Sequence, residues 1–317
     1  MLFTLLRRAL MPALLVILLG AQSARADDKL TVLLDWFVNP DHAPLFVAQE
    51  QGYFAAHGLE VEMIAPADPN DPPKLVAAGK ADIALSYQPQ LHVQVAAGLP
   101  LTRFGTLIAT PLNTLLVLAD GPVKSIADLK GRKVGYSVGG FEDALLRAML
   151  ARHGLTLDDI TLINVNFSLS PALISGQVDA VIGAFRNFEL NQMDIVKHPG
   201  RAFYVEEEGV PAYDELIVVA NAKKLDDPRL RRFVNALENA AQFLVNHPKE
   251  GWAMFIKGRK NLNDELNKRA FRDTLPRFAL RPAALDHGRY RRMAQFLKDQ
   301  GLIKTVRPVQ DYAVELK

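Results

Sequence analysis

The chain has 317 residues, with 37 basic and 35 acidic side chains, a 49% apolar fraction and no cysteine. A near-neutral chain without a basic block argues against nucleic acid as a partner, and the absence of cysteine excludes disulfides and thiolate metal sites. The length suits two domains better than one, and the apolar fraction is enough for a full core.

The first 26 residues read as a secretory signal peptide. Arg7 and Arg8 precede an apolar run from Ala9 to Leu19, and Ala24-Arg25-Ala26 supplies the small residues of a cleavage site. The run is short of the roughly 20 residues a membrane-spanning helix needs. Cleavage would leave a chain from Asp27 to Lys317 with 34 bases against 35 acids. No cysteine is available for a lipid anchor, and no later apolar run approaches a transmembrane length. The expected location is a bacterial periplasm.

Beyond the signal, short β-rich runs alternate with helical stretches. Strands are predicted over residues 30–34, 60–64, 83–86, 102–108, 133–136, 161–164, 180–182 and 216–220. Helices are predicted over 44–51, 72–78, 89–97, 141–153, 187–197, 228–245 and 284–300. This alternation indicates α/β units around mainly parallel sheets flanked by helices. "PPKLVAAGKADIAL" (72–85) is echoed by "SPALISGQVDAVIG" (170–183), each a short helix, a glycine stop and an Asp leading a buried strand. Gly79 and Gly176 suit the left-handed position after a helix. The echo suggests two similarly wired lobes.

"TPLNTLLVLADGPVKSIADLKG" (110–131) runs a strand out of the first lobe and opens a new unit, and "PAYDELIVVAN" (211–221) reads as the return strand. The expected division is a discontinuous lobe one, 27–114 with 216–317, and an inserted lobe two, 115–215. Two crossing strands form a hinge, and ligands of such folds sit beyond the carboxyl ends of strands. "LLDWFVNPDH" (33–42) places Asp35 and Trp36 at such an end.

"LDWFVNPDHAPLFVAQEQGYFAAHGLEVEM" together with "NDPPKLVAAGKADIALSYQPQ" resembles the solute-binding proteins of ABC importers. More narrowly it is similar to the group that binds thiamine pyrimidine precursors, the formylaminopyrimidine-binding type. The pattern Asp-Trp-x-x-Asn-x-x-His is met by Asp35, Trp36, Asn39 and His42. The resemblance implies a two-lobed, type II periplasmic binding-protein fold, an aminopyrimidine ligand and importer membrane subunits as partners, with a monomer expected. A eukaryotic branch of the same group makes the pyrimidine by consuming pyridoxal phosphate and a histidine, and His42 falls at the related position. That branch carries a cysteine-rich iron-binding stretch, which this chain lacks. No enzyme activity, catalytic residue, cofactor or metal is therefore expected. Another flat heterocycle such as riboflavin, or a pyrimidine-synthase-like activity, are the alternatives.

A 4-aminopyrimidine offers a flat ring and an edge with a ring nitrogen beside an amine. Trp36 could supply a stacking platform and Asp35 a carboxylate acceptor for that edge. Tyr87 ends the strand in "LSYQPQ", and Asn113 lies in the first crossing. In "GYSVGGFEDALLRAML", Gly139 and Gly140 allow close backbone approach before a helix start, with Phe141 as an aromatic surface. In "GAFRNFELNQ", Phe185, Arg186 and Glu189 follow a strand, and Glu189 is a candidate second carboxylate. The basic face around Arg289, Arg291 and Arg292 reads as solvated surface.

Overall fold

A computed structural model describes residues 27–316. The signal-peptide expectation for residues 1–26 lies outside the described residues. Ten strands form two five-stranded sheets. The first holds β1 (Asp28–Leu33), β2 (Leu59–Ile64), β3 (Ile83–Ser86), β4 (Leu101–Ile108) and, from much later in the chain, β10 (Leu216–Asn221), in the order β2-β1-β3-β10-β4. The second holds β5 (Asn113–Leu118), β6 (Lys133–Tyr136), β7 (Thr161–Asn164), β8 (Ala180–Phe185) and β9 (Gly200–Tyr204), in the order β7-β6-β8-β5-β9.

The two sheets share one wiring. In each, three strands pair in parallel, β1 with β2 and β3, and β6 with β7 and β8. In each, the fourth position is a strand that arrives from a crossing and runs antiparallel to both neighbours, β10 in the first sheet and β5 in the second. The sheets are therefore mixed, with the antiparallel pairs contributed by the crossings. β3, β4 and β10 are buried along their whole length, as strands with helices on both faces must be. The edge strand β9 was not foreseen. Its five residues, GRAFY, are half-buried or exposed, so they carry no continuous apolar run.

The repeated helix–glycine–strand unit has a local cause. After the helix Pro72–Ala77, the Lys80 N–H donates to Leu75 C=O at 2.9 Å and the Gly79 N–H to Val76 C=O at 3.0 Å. That is a Schellman closure, with Gly79 at φ +73°. It turns the chain directly into β3. Gly176 has the same φ of +73° ahead of β8.

The two crossings between sheets meet at Glu215. Its buried Oε2 accepts the Asn113 N–H at 2.9 Å and the Tyr213 hydroxyl at 3.0 Å, and also the Leu112 N–H. One carboxyl thus ties the outgoing strand to the returning one. Arg103, fully buried in β4, anchors the end of the chain through the carbonyls of Pro282, Ala283 and Val314. Among the described residues no helix is long and apolar enough to cross a membrane.

Candidate functional site

A cavity lies between the sheets, with about 380 Å³ of empty space including its solvent-open part. From the first sheet come Asp35, Trp36, Asn39 and Asp41, in the loop after β1, and Tyr87 at the end of β3. From the second come Glu142, Leu169, Gly183, Phe185, Phe188 and Glu189. The lining is therefore aromatic and acidic, and it includes no Lys or Arg among the described residues.

The loop after β1 is stitched to itself. Asn39 Oδ1 accepts the Asp41 N–H at 2.8 Å, and the Asn39 N–H donates to His42 Nδ1 at 3.2 Å. With Nδ1 accepting, the network assigns the proton of His42 to Nε2, which donates to Asp35 Oδ1 at 2.9 Å. Asp35 Oδ2 accepts the Tyr87 hydroxyl at 2.9 Å. Asp35 thus orients two neighbours as well as lining the cavity. Tyr87 in turn stacks on Phe141, with centroids 4.9 Å apart and planes 12° from parallel, while Phe185 meets Tyr87 edge-on at 6.4 Å.

Two carboxyls face these groups from the second sheet. Glu142 opens the helix Glu142–Arg152 and accepts the Ser137 N–H at 2.7 Å. Glu189 opens the helix Glu189–Ile195 and accepts the Phe185 N–H at 2.7 Å. Burial raises both from the ordinary 4.5 to about 8, although the backbone donors pull the other way. Burial likewise lifts Asp41 from 3.8 to about 6, with His42 opposing, and Glu215 to about 7.

A pH dependence of stability follows from these carboxyls. Each holds its proton more tightly folded than unfolded, so the folded state binds more protons between about 4.5 and about 8. Unfolding then releases protons, and stability present below pH 4.5 is lost as pH rises through 8. Thermal melts of ligand-free protein should show a falling midpoint from pH 5 to 8. A flat or rising midpoint over that window would show that these groups ionise without penalty.

The twelve residues singled out from sequence divide cleanly. Asp35, Trp36, Asn39, Tyr87, Phe185 and Glu189 line the cavity. His42 and Phe141 stand behind Asp35 and Tyr87. Asn113 is fully buried, and its Oδ1 accepts the Gly183 N–H at 3.1 Å. Gly139, Gly140 and Arg186 do not line it. The Gly139 N–H donates instead to Asn70 Oδ1 at 3.0 Å, a contact between the two lobes. Arg186 is held by Glu206 at 2.6 and 2.8 Å and lies 4.3 Å from the Tyr204 ring centroid. Asp41, Glu142, Gly183, Leu169 and Phe188 were missed. Asp41, Glu142, Gly183 and Phe188 fall within motifs singled out from the sequence, but nothing in their spacing marks them.

The lobes touch around the cavity mouth. Asn187 Nδ2 lies 2.6 Å from Asp41 Oδ1 and 2.7 Å from Thr274 Oγ1. Asn191 donates to Asp273 at 2.8 Å, and Arg269 pairs with Asp194 at 2.6 Å. Trp36 packs on Phe167 at 4.6 Å and Phe37 on Phe188 at 5.8 Å.

Comparison with known proteins places this architecture. The alkanesulfonate-binding protein SsuA of Xanthomonas axonopodis pv. citri superposes with a TM-score of 0.71 at 16% identity, over 91% of this chain and 99% of that one. At that identity the likeness establishes the two-lobed periplasmic binding-protein fold alone. In sequence, a Haemophilus influenzae protein whose name assigns it to thiamine biosynthesis is 55% identical over 92% of this chain and 93% of its own. A formylaminopyrimidine-binding protein of Halalkalibacterium halodurans is 33% identical over 77% and 74%. A 4-amino-5-hydroxymethyl-2-methylpyrimidine phosphate synthase of Uromyces fabae is 29% identical over 77% and 75%. The family profile described as NMT1/THI5 like matches residues 39–251, well over half the chain, and the chain belongs to that NMT1/THI5-like family.

Proposed function

We propose that this protein is a periplasmic solute-binding protein that delivers a thiamine pyrimidine precursor to the membrane subunits of an ABC importer. The ligand is N-formyl-4-amino-5-aminomethyl-2-methylpyrimidine or a related aminopyrimidine. The observation that carries the reading is the cleft between two similarly wired sheets, walled by aromatic rings and by carboxyls on both sides. Flat rings take up an apolar heterocycle, and carboxyls accept from its amino edge. The name of the Halalkalibacterium relative supports this choice. In this reading residues 1–26 direct export, and the chain acts as a monomer. Lobe one (27–114 and 216–317) closes on lobe two (115–215), with Glu215 at the hinge.

A synthase reading is supported by the name of the more distant Uromyces relative. The setting of His42 counts against it. That histidine is fully buried, both ring nitrogens are engaged, and it does not line the cavity. A histidine that is chemically consumed needs access to its reaction partner.

Isothermal calorimetry with the N-formyl compound tests the function. Wild type should bind it, and both variants should weaken binding, Asp35→Asn by ~1.5–3 kcal/mol, the range of hydrogen bonds to charged groups, and Glu189→Gln by ~0.5–1.5 kcal/mol, the range for a carboxyl that keeps its proton. No heat with any aminopyrimidine, or unchanged affinity in both variants, would reject the reading.

A further inference from the structure

Four carboxyl residues line the cavity, Asp35, Asp41, Glu142 and Glu189. Asp35 holds His42 and Tyr87, Glu142 takes the Ser137 N–H and Glu189 the Phe185 N–H. Asp41 differs. Its Oδ1 lies against Asn187 and Thr274, but its Oδ2 has no hydrogen-bond partner although the residue is only 1% exposed. A buried carboxylate oxygen left unmatched is costly, and this one belongs to a residue on the cavity wall, where a bound group can meet it.

The surroundings say what that is. Asp35 and Glu189 are close enough for Asp41 to interact with both electrostatically. His42 is the neighbouring imidazole, and it is committed to Asp35 and Asn39. Arg277 feels Asp41, but its hydrogen bond goes to Thr110. At pH 7 Glu142 and Glu189 largely keep their protons, and it is the largely ionised Asp41, with no cation hydrogen-bonded to it, that suits a ligand group that only donates and carries positive charge. An ammonium does both. A formamide can donate its N–H but brings no positive charge to that oxygen. The rings of Trp36, Tyr87, Phe185 and Phe188 add π faces that favour a cation.

Resting on the aminopyrimidine reading, we propose that Asp41 is a specificity-determining residue whose Oδ2 receives the ligand's ammonium group. The preferred ligand is then the free 5-aminomethyl pyrimidine rather than its N-formyl derivative. Because Oδ1 of the same carboxyl meets Asn187 of the opposite lobe at 2.6 Å, the ammonium contact is also joined to lobe closure.

The test is competition binding at pH 7 with three probes: 4-amino-5-aminomethyl-2-methylpyrimidine, its N-formyl derivative and the 5-hydroxymethyl analogue. Wild type should prefer the amine by about 10-fold or more, the size expected of one charge-assisted hydrogen bond. Asp41→Asn should bring the three affinities within about 3-fold of one another. Asn187→Ala, which keeps the carboxylate and removes its partner across the cleft, should weaken all three probes and keep their order. Equal or tighter binding of the N-formyl compound by wild type would overturn the proposal. So would an amine preference that survives in Asp41→Asn, or one that vanishes in Asn187→Ala. If Asp41→Asn does not fold, as read by circular dichroism, the wild-type order decides alone. Failure of all three probes to bind would sink the aminopyrimidine reading itself, whereas equal binding of all three would sink only the ammonium assignment.

Discussion

Gly183→Ala is expected to destabilise the protein and to spoil the cavity in a single step. Gly183 lies inside β8, where the pairing with β5 slips: Ala184 faces Thr114 and Ile182 faces Leu115, leaving Gly183 as the extra residue of a bulge. Its φ of +99° belongs to glycine, and its N–H leaves the ladder to donate to Asn113 Oδ1 at 3.1 Å. A side chain there meets two penalties. The backbone strain costs about 1–3 kcal/mol. The added Cβ would also sit under 3.0 Å from the Glu142 carboxyl, which must then leave its place against the Ser137 N–H. Chemical denaturation should therefore show a loss of at least about 1 kcal/mol, and calorimetry a weaker site. Glu142→Ala placed on top of Gly183→Ala removes the clash but not the strain. The double variant should recover part of the stability, with a coupling of about 0.5–3 kcal/mol for residues in contact. A Gly183→Ala protein as stable as wild type, with unchanged binding, would show that the bulge relaxes freely and that Glu142 is not positioned by it.

The same bulge shows where sequence reading stops. Strand ends were legible, because apolar runs closed by polar or aromatic residues mark the carboxyl ends where α/β sheets present ligands. Asp35, Trp36, Tyr87 and Glu189 follow such ends and Phe185 closes one, and the structure brings them together. Asp41 and Glu142 were not legible. Each looks like an ordinary helix-start acid, and only the approach of Asn187, 146 residues away, or of Gly183 gives it a setting. Arg186 misled in the opposite direction. It follows β8 as a ligand-binding cation would, but Glu206, 20 residues on, takes both terminal nitrogens of its guanidinium. The Gly139–Gly140 turn has the look of an anion cradle, yet its first N–H is taken by Asn70 of the other lobe. These are pairings between distant segments, and a single chain carries no local trace of them. The topology was easier, since the repeated helix–glycine–strand unit follows from a Schellman stop that short-range residues specify.

Trp36 should carry the optical and much of the energetic signal of ligand binding. The chain has two tryptophans. Trp252 lies in the helix Pro248–Phe255, packed on Phe271 at 5.3 Å and Phe255 at 5.9 Å, within the helical part of the core and not on the cavity. Trp36 lines the cavity, with Phe167 at a steep 69° to its plane and Phe37 at 5.6 Å. A heterocycle stacked on that indole perturbs its fluorescence directly, whereas Trp252 is half-buried away from the cavity. Trp252→Phe should therefore keep the ligand-dependent quenching, and Trp36→Phe should lose most of it while weakening binding by only about 1 kcal/mol, because a smaller ring still stacks. Trp36→Ala removes the platform and admits water, and should cost about 2–4 kcal/mol, the range of a buried aromatic anchor. Part of that loss could arise from the lobe contact with Phe167. Phe167→Ala separates the two roles: it removes the contact but leaves the indole, so affinity should fall while saturated quenching persists. If quenching instead follows Trp252, and Trp36→Ala binds as wild type does, then Trp36 only caps the end of β1 and the platform assignment fails.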